Sequence, residues 1–190
     1  MNKSLFSVSL LLILGGCALT PQKVLINPDV EVLSSGVGQG KTVALMVTDA
    51  REDKVLGYRT TRLDKDSIIL TDSNVADVVQ EKIYEGLQKY GFKVNIVSGD
   101  APLLLKVEIQ ALQYSTPTGS WTDYIRTLAR LKADVKNGTT TYENLYEVVN
   151  KNTLLIPPSQ DKNQELINKA LADVIQNLLN DKKLIDILAK

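Results

Sequence analysis

Residues 103–114, LLLKVEIQALQY, and residues 121–136, WTDYIRTLARLKADVK, carry the clearest alternation of apolar and polar side chains in the chain. In the first stretch Leu103, Leu105, Val107, Ile109 and Ala111 share one face. In the second, Trp121, Ile125, Ala129, Leu131, Ala133 and Val135 do the same. A period of two belongs to a strand with one face buried. The connection, Ser115-Thr116-Pro117-Thr118-Gly119-Ser120, is made of turn formers, so the two stretches read as a long antiparallel hairpin. If both odd-numbered faces meet the core, opposed residues must have an even index sum, because a slip of one would carry one apolar set into water. The even-numbered face then presents Leu104, Leu112, Tyr114, Tyr124 and Leu128 among Lys106, Glu108, Arg126, Arg130 and Lys132.

Downstream, residues 139–149 fit either a helix or a strand, and Asn137-Gly138 just before them is a strong hairpin signal that favours the strand. Pro157-Pro158 ends that region. Residues 161–180 place Leu166, Ile167, Ala170, Leu171, Val174, Ile175, Leu178 and Leu179 on one helical stripe, with Ser159 or Asp161 as cap, and a short helix follows at 182–189. Upstream, residues 74–90 form a helix with Val75, Val78, Val79, Ile83, Leu87 and Tyr90 on one stripe, Ser73 or Asn74 as cap and Gly91 at the C-terminal stop. Residues 41–48 are apolar on both faces, which predicts a central strand. Shorter strands are expected at 55–62, 67–71 and 92–97, the first two joined by Asp64-Lys65-Asp66. This order predicts an α+β two-layer sandwich: a largely antiparallel sheet covered on one face by two long helices.

The chain has 190 residues, with 22 basic and 22 acidic side chains, no histidine and one cysteine. The balanced charge argues against a nucleic-acid partner. The absence of histidine removes His-based triads and His metal sites, and a single cysteine cannot form a disulfide within the chain. No catalytic residue and no metal site is expected. Asp49, Arg51, Glu52 and Asp53 cluster after the first strand, but without calcium-loop spacing. They read as a solvated turn in which Arg51 pairs with a carboxylate. Gly36, Gly38 and Gly40 precede Lys41-Thr42, which opens a strand and not a helix, so they do not make a phosphate loop.

Lys3, the apolar run Leu5 to Leu14 and the small pair Gly15-Gly16 have the three parts of a secretion signal. The run is shorter than the ~20 residues of a spanning helix. Leu14-Gly15-Gly16-Cys17 resembles the bacterial lipobox, which implies a covalent diacylglyceryl and N-acyl lipid on Cys17 and no other cofactor. Proteobacterial lipoproteins retained in the inner membrane usually carry Asp after that cysteine; Ala18 in its place implies the outer membrane. The division expected is a signal peptide at 1–16, a lipidated tether and extended arm at 17–40 with a flexible exit, and a periplasmic α/β domain at 41–190.

Several further stretches resemble the YajG family of Gram-negative outer-membrane lipoproteins. They are Ile26-Asn27-Pro28, Val43–Val47 followed by Asp49-x-Arg51-x-Asp53, the helix end Gln88-Lys89-Tyr90-Gly91-Phe92-Lys93-Val94, and the hairpin end Lys132-Ala133-Asp134-Val135-Lys136-Asn137-Gly138. The resemblance implies a lipid-anchored periplasmic domain and no settled activity. The expected function is a non-catalytic binding or accessory module for an unidentified envelope protein complex. Its candidate interface is Tyr114, Tyr124, Arg126 and Arg130, since Tyr and Arg are enriched at protein interfaces. The alternative is an enzyme or small-ligand carrier for cell-wall fragments or lipids.

Overall fold

A computed structural model describes residues 20–60, 66–116, 124–153 and 158–190. Cys17, Ala18, Trp121 and the Asp64-Lys65 part of the expected turn lie outside the described residues, as does the signal segment.

The elements, in chain order, are β1 (Gln22–Lys23), β2 (Thr42–Asp49), β3 (Gly57–Thr60), β4 (Asp66–Leu70), α1 (Val75–Lys89), β5 (Lys93–Ile96), β6 (Leu103–Ser115), β7 (Tyr124–Asn137), β8 (Thr140–Thr153), α2 (Gln160–Leu179) and α3 (Lys182–Ala189). The eight strands form one sheet organised around β6. On one edge β6 pairs in parallel with β2 through residues 104–109 and with β3 through residues 114 and 115. On the other it pairs antiparallel with β7, which pairs antiparallel with β8. The β2–β5 and β1–β4 pairings are also parallel, and β3–β4 is antiparallel. The sheet is therefore mixed, with parallel pairings in the majority, and this corrects the expectation of a largely antiparallel one. The cause is that β2 and β5 are joined through α1, a crossover that returns the chain in the same direction.

All three helices lie against one face. α1 packs on β2 and β5, α2 on β6, β7 and β8, and α3 on β7. Val75, Val79, Ile83 and Leu87 of α1 join Leu166, Ile167, Ala170, Leu171, Val174, Ile175, Leu178 and Leu179 of α2 in a single core with Val43, Leu45, Leu105, Val107, Ile109, Ala129, Leu131 and Ala133 of the sheet. Asn74, Ser159 and Asp181 cap the three helices through their side chains. β8 starts directly after a turn at Gly138, whose positive φ (59°) favours glycine.

The even-sum register holds only for the first half of the long hairpin. From Leu103↔Asn137 to Ile109↔Leu131 every pair sums to an even number. A bulge between Ile109 and Ala111 then shifts the ladder, so that Leu112 faces Ala129 and Tyr114 faces Thr127. A bulge inserts one unpaired residue and exchanges the two faces of the strand beyond it. Leu112 and Tyr114 are consequently core residues, 1% and 2% exposed, and not members of the outer face. Tyr114 also supports the crossing of β3: its backbone N–H donates to the Leu56 carbonyl, and Gly57 sits so close that a Cβ there would overlap the Tyr114 carbonyl.

The N-terminal arm is built into the domain. After β1, Val24 and Ile26 are buried. The exposed side of the arm is held by side-chain amides of α2: Leu25 N–H donates to Gln164 Oε1 (2.7 Å), Asn27 N–H to Asn168 Oδ1 (2.8 Å), and Gln176 Nε2 to the Glu31 carbonyl (2.9 Å). The segment expected as a flexible exit is hydrogen-bonded to the end of α1. Ser35, Gly38 and Gly40 donate to the carbonyls of Lys89, Tyr90 and Gly91 at 2.8–2.9 Å.

Candidate functional site

Among the described residues no helix packs on the face of the sheet opposite α1, α2 and α3. Along β7 the even-numbered residues Tyr124, Arg126, Leu128, Arg130, Lys132, Asp134 and Lys136 point to it. The odd-numbered residues of β8 oppose them, so Glu143, Leu145, Glu147, Val149 and Lys151 lie on the same face. Leu145 and Val149 are 54% and 38% exposed. Lys106 and Glu108 of β6 and Met46 of β2 continue the face toward the sheet centre.

Of the four expected interface residues, three come together. Tyr124, Arg126 and Arg130 share the open face, while Tyr114 lies across the sheet among core residues, removed from the group by the bulge.

Most charge on this face is paired. Arg130 Nε donates to Glu147 Oε2 at 2.7 Å, Lys132 Nζ lies 3.0 Å from Glu143, Lys106 lies 2.6 Å from Glu108, and Lys136 lies 2.6 Å from Asp100. The Glu143 contact raises the Lys132 ammonium pKa and lowers that of the Glu143 carboxyl. Asp134 titrates above the usual carboxylate range, because burial outweighs the attraction of Lys132. The exception is one corner. Arg126 stands directly opposite Lys151 across the β7–β8 ladder, a like-charge arrangement that is destabilising without an anion nearby. Lys151 lies over the Tyr124 ring, 5.6 Å from its centre. Among the described residues neither cation has a carboxylate within ion-pair distance.

The Asp49–Arg51 turn is a closed clasp. Arg51 is buried, and its Nε and Nη2 donate to the two oxygens of Asp49, both at 2.9 Å. Lys54 adds a contact at 3.1 Å. Burial pushes the Asp49 carboxyl up, and the Arg51 and Lys54 contacts outweigh it and hold it down at about 2. The expected pairing is present, but the guanidinium is enclosed and not solvated. Ser159 and Lys162 have a spacing shared with Ser–Lys catalytic pairs. Here Ser159 Oγ accepts the Lys162 N–H as a helix cap, and the Lys162 ammonium is held by Glu165 at 2.6 Å. Among the described residues no group of three or more metal-ligating side chains gathers, and no helix is long and apolar enough to cross a membrane.

One group escaped the sequence reading. Asp181 Oδ2 accepts from Tyr142 Oη (2.9 Å), Asn144 Nδ2 (3.0 Å) and Tyr146 Oη (2.6 Å), while Oδ1 caps α3. The period-2 spacing of Tyr142, Asn144 and Tyr146 was the available signal, since it puts three donors on one face of β8.

These features define an α+β domain with a one-sided sheet. The chain belongs to a family of lipoproteins: the Lipoprotein_16 family, described as "Uncharacterized lipoprotein", matches residues 28–189. Membership implies a lipid-anchored membrane protein. No curated protein matches the chain. Two of the solved structures that resemble it in fold have TM-scores above 0.5. Protein XCC0632 from Xanthomonas campestris, of family DUF330, has a TM-score of 0.55 at 11% identity, covering 88% of this chain and 94% of that one. A protein from Helicobacter pylori described as a "putative neuraminyllactose-binding hemagglutinin homolog" has a TM-score of 0.54 at 9% identity, covering 88% of this chain and 96% of that one.

Proposed function

We propose that the chain is a YajG-like lipoprotein, acylated on Cys17, sorted by Ala18 to the periplasmic face of the outer membrane, and acting there as a non-catalytic binding or accessory module for an envelope protein complex. The observation that supports this reading is the sheet face that no described helix covers, with a cationic and aromatic corner at Tyr124, Arg126 and Lys151 that has no ion pair among the described residues. A sheet face needs a cover or a solvated pattern, and a corner of like charge and Tyr is suited to a partner surface that carries carboxylates. Acylation would also fix the geometry. The three residues from Cys17 to Thr20 span at most about 11 Å, and the Thr20 carbonyl is held by Arg59 and Ser67 beside β4. The domain would therefore sit directly on the bilayer with little room to swing.

The test is a photo-crosslinking amino acid placed in cells at Arg126, at Gln113 on the same face, and at Lys169 on the solvent side of α2. The two face positions should each give a discrete adduct heavier than two copies of the chain, and Lys169 should give none. Tyr124→Ala should reduce the Gln113 adduct several-fold without changing the melting temperature. Cys17→Ser should leave an uncleaved precursor and lose the adducts. Correctly processed protein that yields no adduct from either face position overturns the reading.

A further inference from the structure

We propose that two copies of this chain join edge to edge through β8, in antiparallel register about a two-fold axis at Glu147, to make one continuous sheet with all helices on the same side. The proposal does not rest on the reading above: it uses the β8 edge and takes Lys151 from the corner, leaving Tyr124 and Arg126 to a partner on the open face.

β8 runs for 14 residues, among the described residues pairs only with β7, and does so without a bulge. Long, regular, unpaired edges are templates for further pairing. Which of its peptide groups face the free edge follows from β6. Ile109, on the helix side of β6, accepts from Ala50 on the β2 side. Strand β8 runs parallel to β6, both being antiparallel to β7. Its helix-side residues therefore turn their N–H and C=O groups the same way, toward β7, and its odd-numbered residues turn theirs to the free edge. Leu145 agrees: its N–H takes the Asn144 Oδ1 at 2.9 Å in the absence of a neighbouring strand.

The odd-numbered residues read Thr141, Glu143, Leu145, Glu147, Val149, Lys151, Thr153. This row is self-complementary about its centre. Pairing Glu147 with its own copy sets Leu145 against Val149, Glu143 against Lys151 and Thr141 against Thr153. Cross-strand aliphatic, opposite-charge and Thr–Thr pairs are the favourable kinds. Lys151, which among the described residues has no carboxylate within ion-pair distance, gains one from the second copy. The two glutamates at the axis each remain neutralised by their own Arg130. Moving the register by one pleat in either direction sets an aliphatic side chain against a charge. On the helix side the same register sets Tyr146 against Val148 and Asn144 against Asn150. Pairing also covers Leu145 and Val149, and the Leu145 N–H exchanges its bond to Asn144 for one to the Val149 carbonyl of the second copy.

The experiment uses the full-length protein in cells, where acylated Cys17 leaves no other thiol. Opposed residues of a hydrogen-bonded antiparallel pair have Cα atoms about 5.5 Å apart, within disulfide range. Glu147→Cys should give a disulfide dimer under mild oxidation. Leu145→Cys, whose copies would lie about 13 Å apart along the strands, should give at least tenfold less. Co-expressed Leu145→Cys and Val149→Cys chains should crosslink to each other. In the Glu147→Cys background, Glu143→Lys should reduce the dimer several-fold and Glu143→Lys with Lys151→Glu should restore it, at unchanged melting temperature. Folded Glu147→Cys protein that stays monomeric, or a Leu145→Cys dimer of equal yield, overturns the proposal.

Discussion

Asp181 uses both carboxylate oxygens to fasten the C-terminal helix to the sheet. One oxygen receives the Lys183 and Leu184 amides that open α3, and the other receives two phenols and an amide from β8. Burial raises its pKa, but these donors outweigh burial and hold it at about 2, below the ordinary 3.8. The phenols shift the opposite way: burial and the Asp181 charge both push Tyr142 and Tyr146 up. Lys183 lies 4.5 Å from the centre of the Tyr142 ring and closes the group. A cap is worth ~1 kcal/mol and hydrogen bonds to a charged group ~1.5–3 kcal/mol, so Asp181→Ala should lower stability by about 3 kcal/mol in urea unfolding. The sign of the pH dependence follows from the depressed pKa. The folded state binds fewer protons than the unfolded one, so the Asp181 contribution is complete above about pH 4 and is lost as pH falls toward 2. Asp49 contributes in the same window. The acid limb of a stability–pH curve should therefore be shallower in Asp181→Ala than in the parent, and an unchanged limb would remove Asp181 from this role.

The elements were legible wherever the pattern was local. The spans of α1, α2 and α3, and the caps of the first two, lie within a residue or two of where apolar periodicity and capping chemistry put them. The break in β6 was present in its own letters, because Leu105, Val107 and Ile109 keep one phase and Leu112 and Tyr114 keep the other. Ala111 hid the change: a small apolar residue extends either phase, so the alternation read as continuous through it. The misplacement of Tyr114 followed from that one residue. The bulge makes a direct prediction for two adjacent positions. Leu112 is 1% exposed and Gln113 is exposed. Leu112→Ala should cost ~2–5 kcal/mol as a core truncation, and Gln113→Ala should stay within about 0.5 kcal/mol. Equal values from chemical denaturation would mean that β6 keeps a single phase throughout.

At the scale of the molecule, strand order was not legible, because it depends on contacts between distant segments. β6 accepts two parallel neighbours end to end on one edge, β2 at its start and β3 at its finish, and no local pattern marks a strand for that use. The arm is a second case. Its prolines and glycines are those of a linker, yet its alternating Val24 and Ile26 belong to the same buried core as the sheet and helix residues. Its backbone is satisfied by Gln164, Asn168 and Gln176 of α2, residues that periodicity alone assigns to the solvent side of that helix. The folded unit thus extends at least from Thr20, well before the strand at Thr42 that looked like its start. If this is so, a charge in the arm must act as a core defect. Ile26 is 2% exposed, and burying an unpaired carboxylate there would cost several kcal/mol against a typical domain stability of ~5–15 kcal/mol. Ile26→Asp should lower the melting temperature markedly, whereas Leu25→Asp, at a neighbouring position 61% exposed, should leave it nearly unchanged. Identical melting of the Ile26→Asp variant and the parent would show that the arm detaches from a domain that is complete without it.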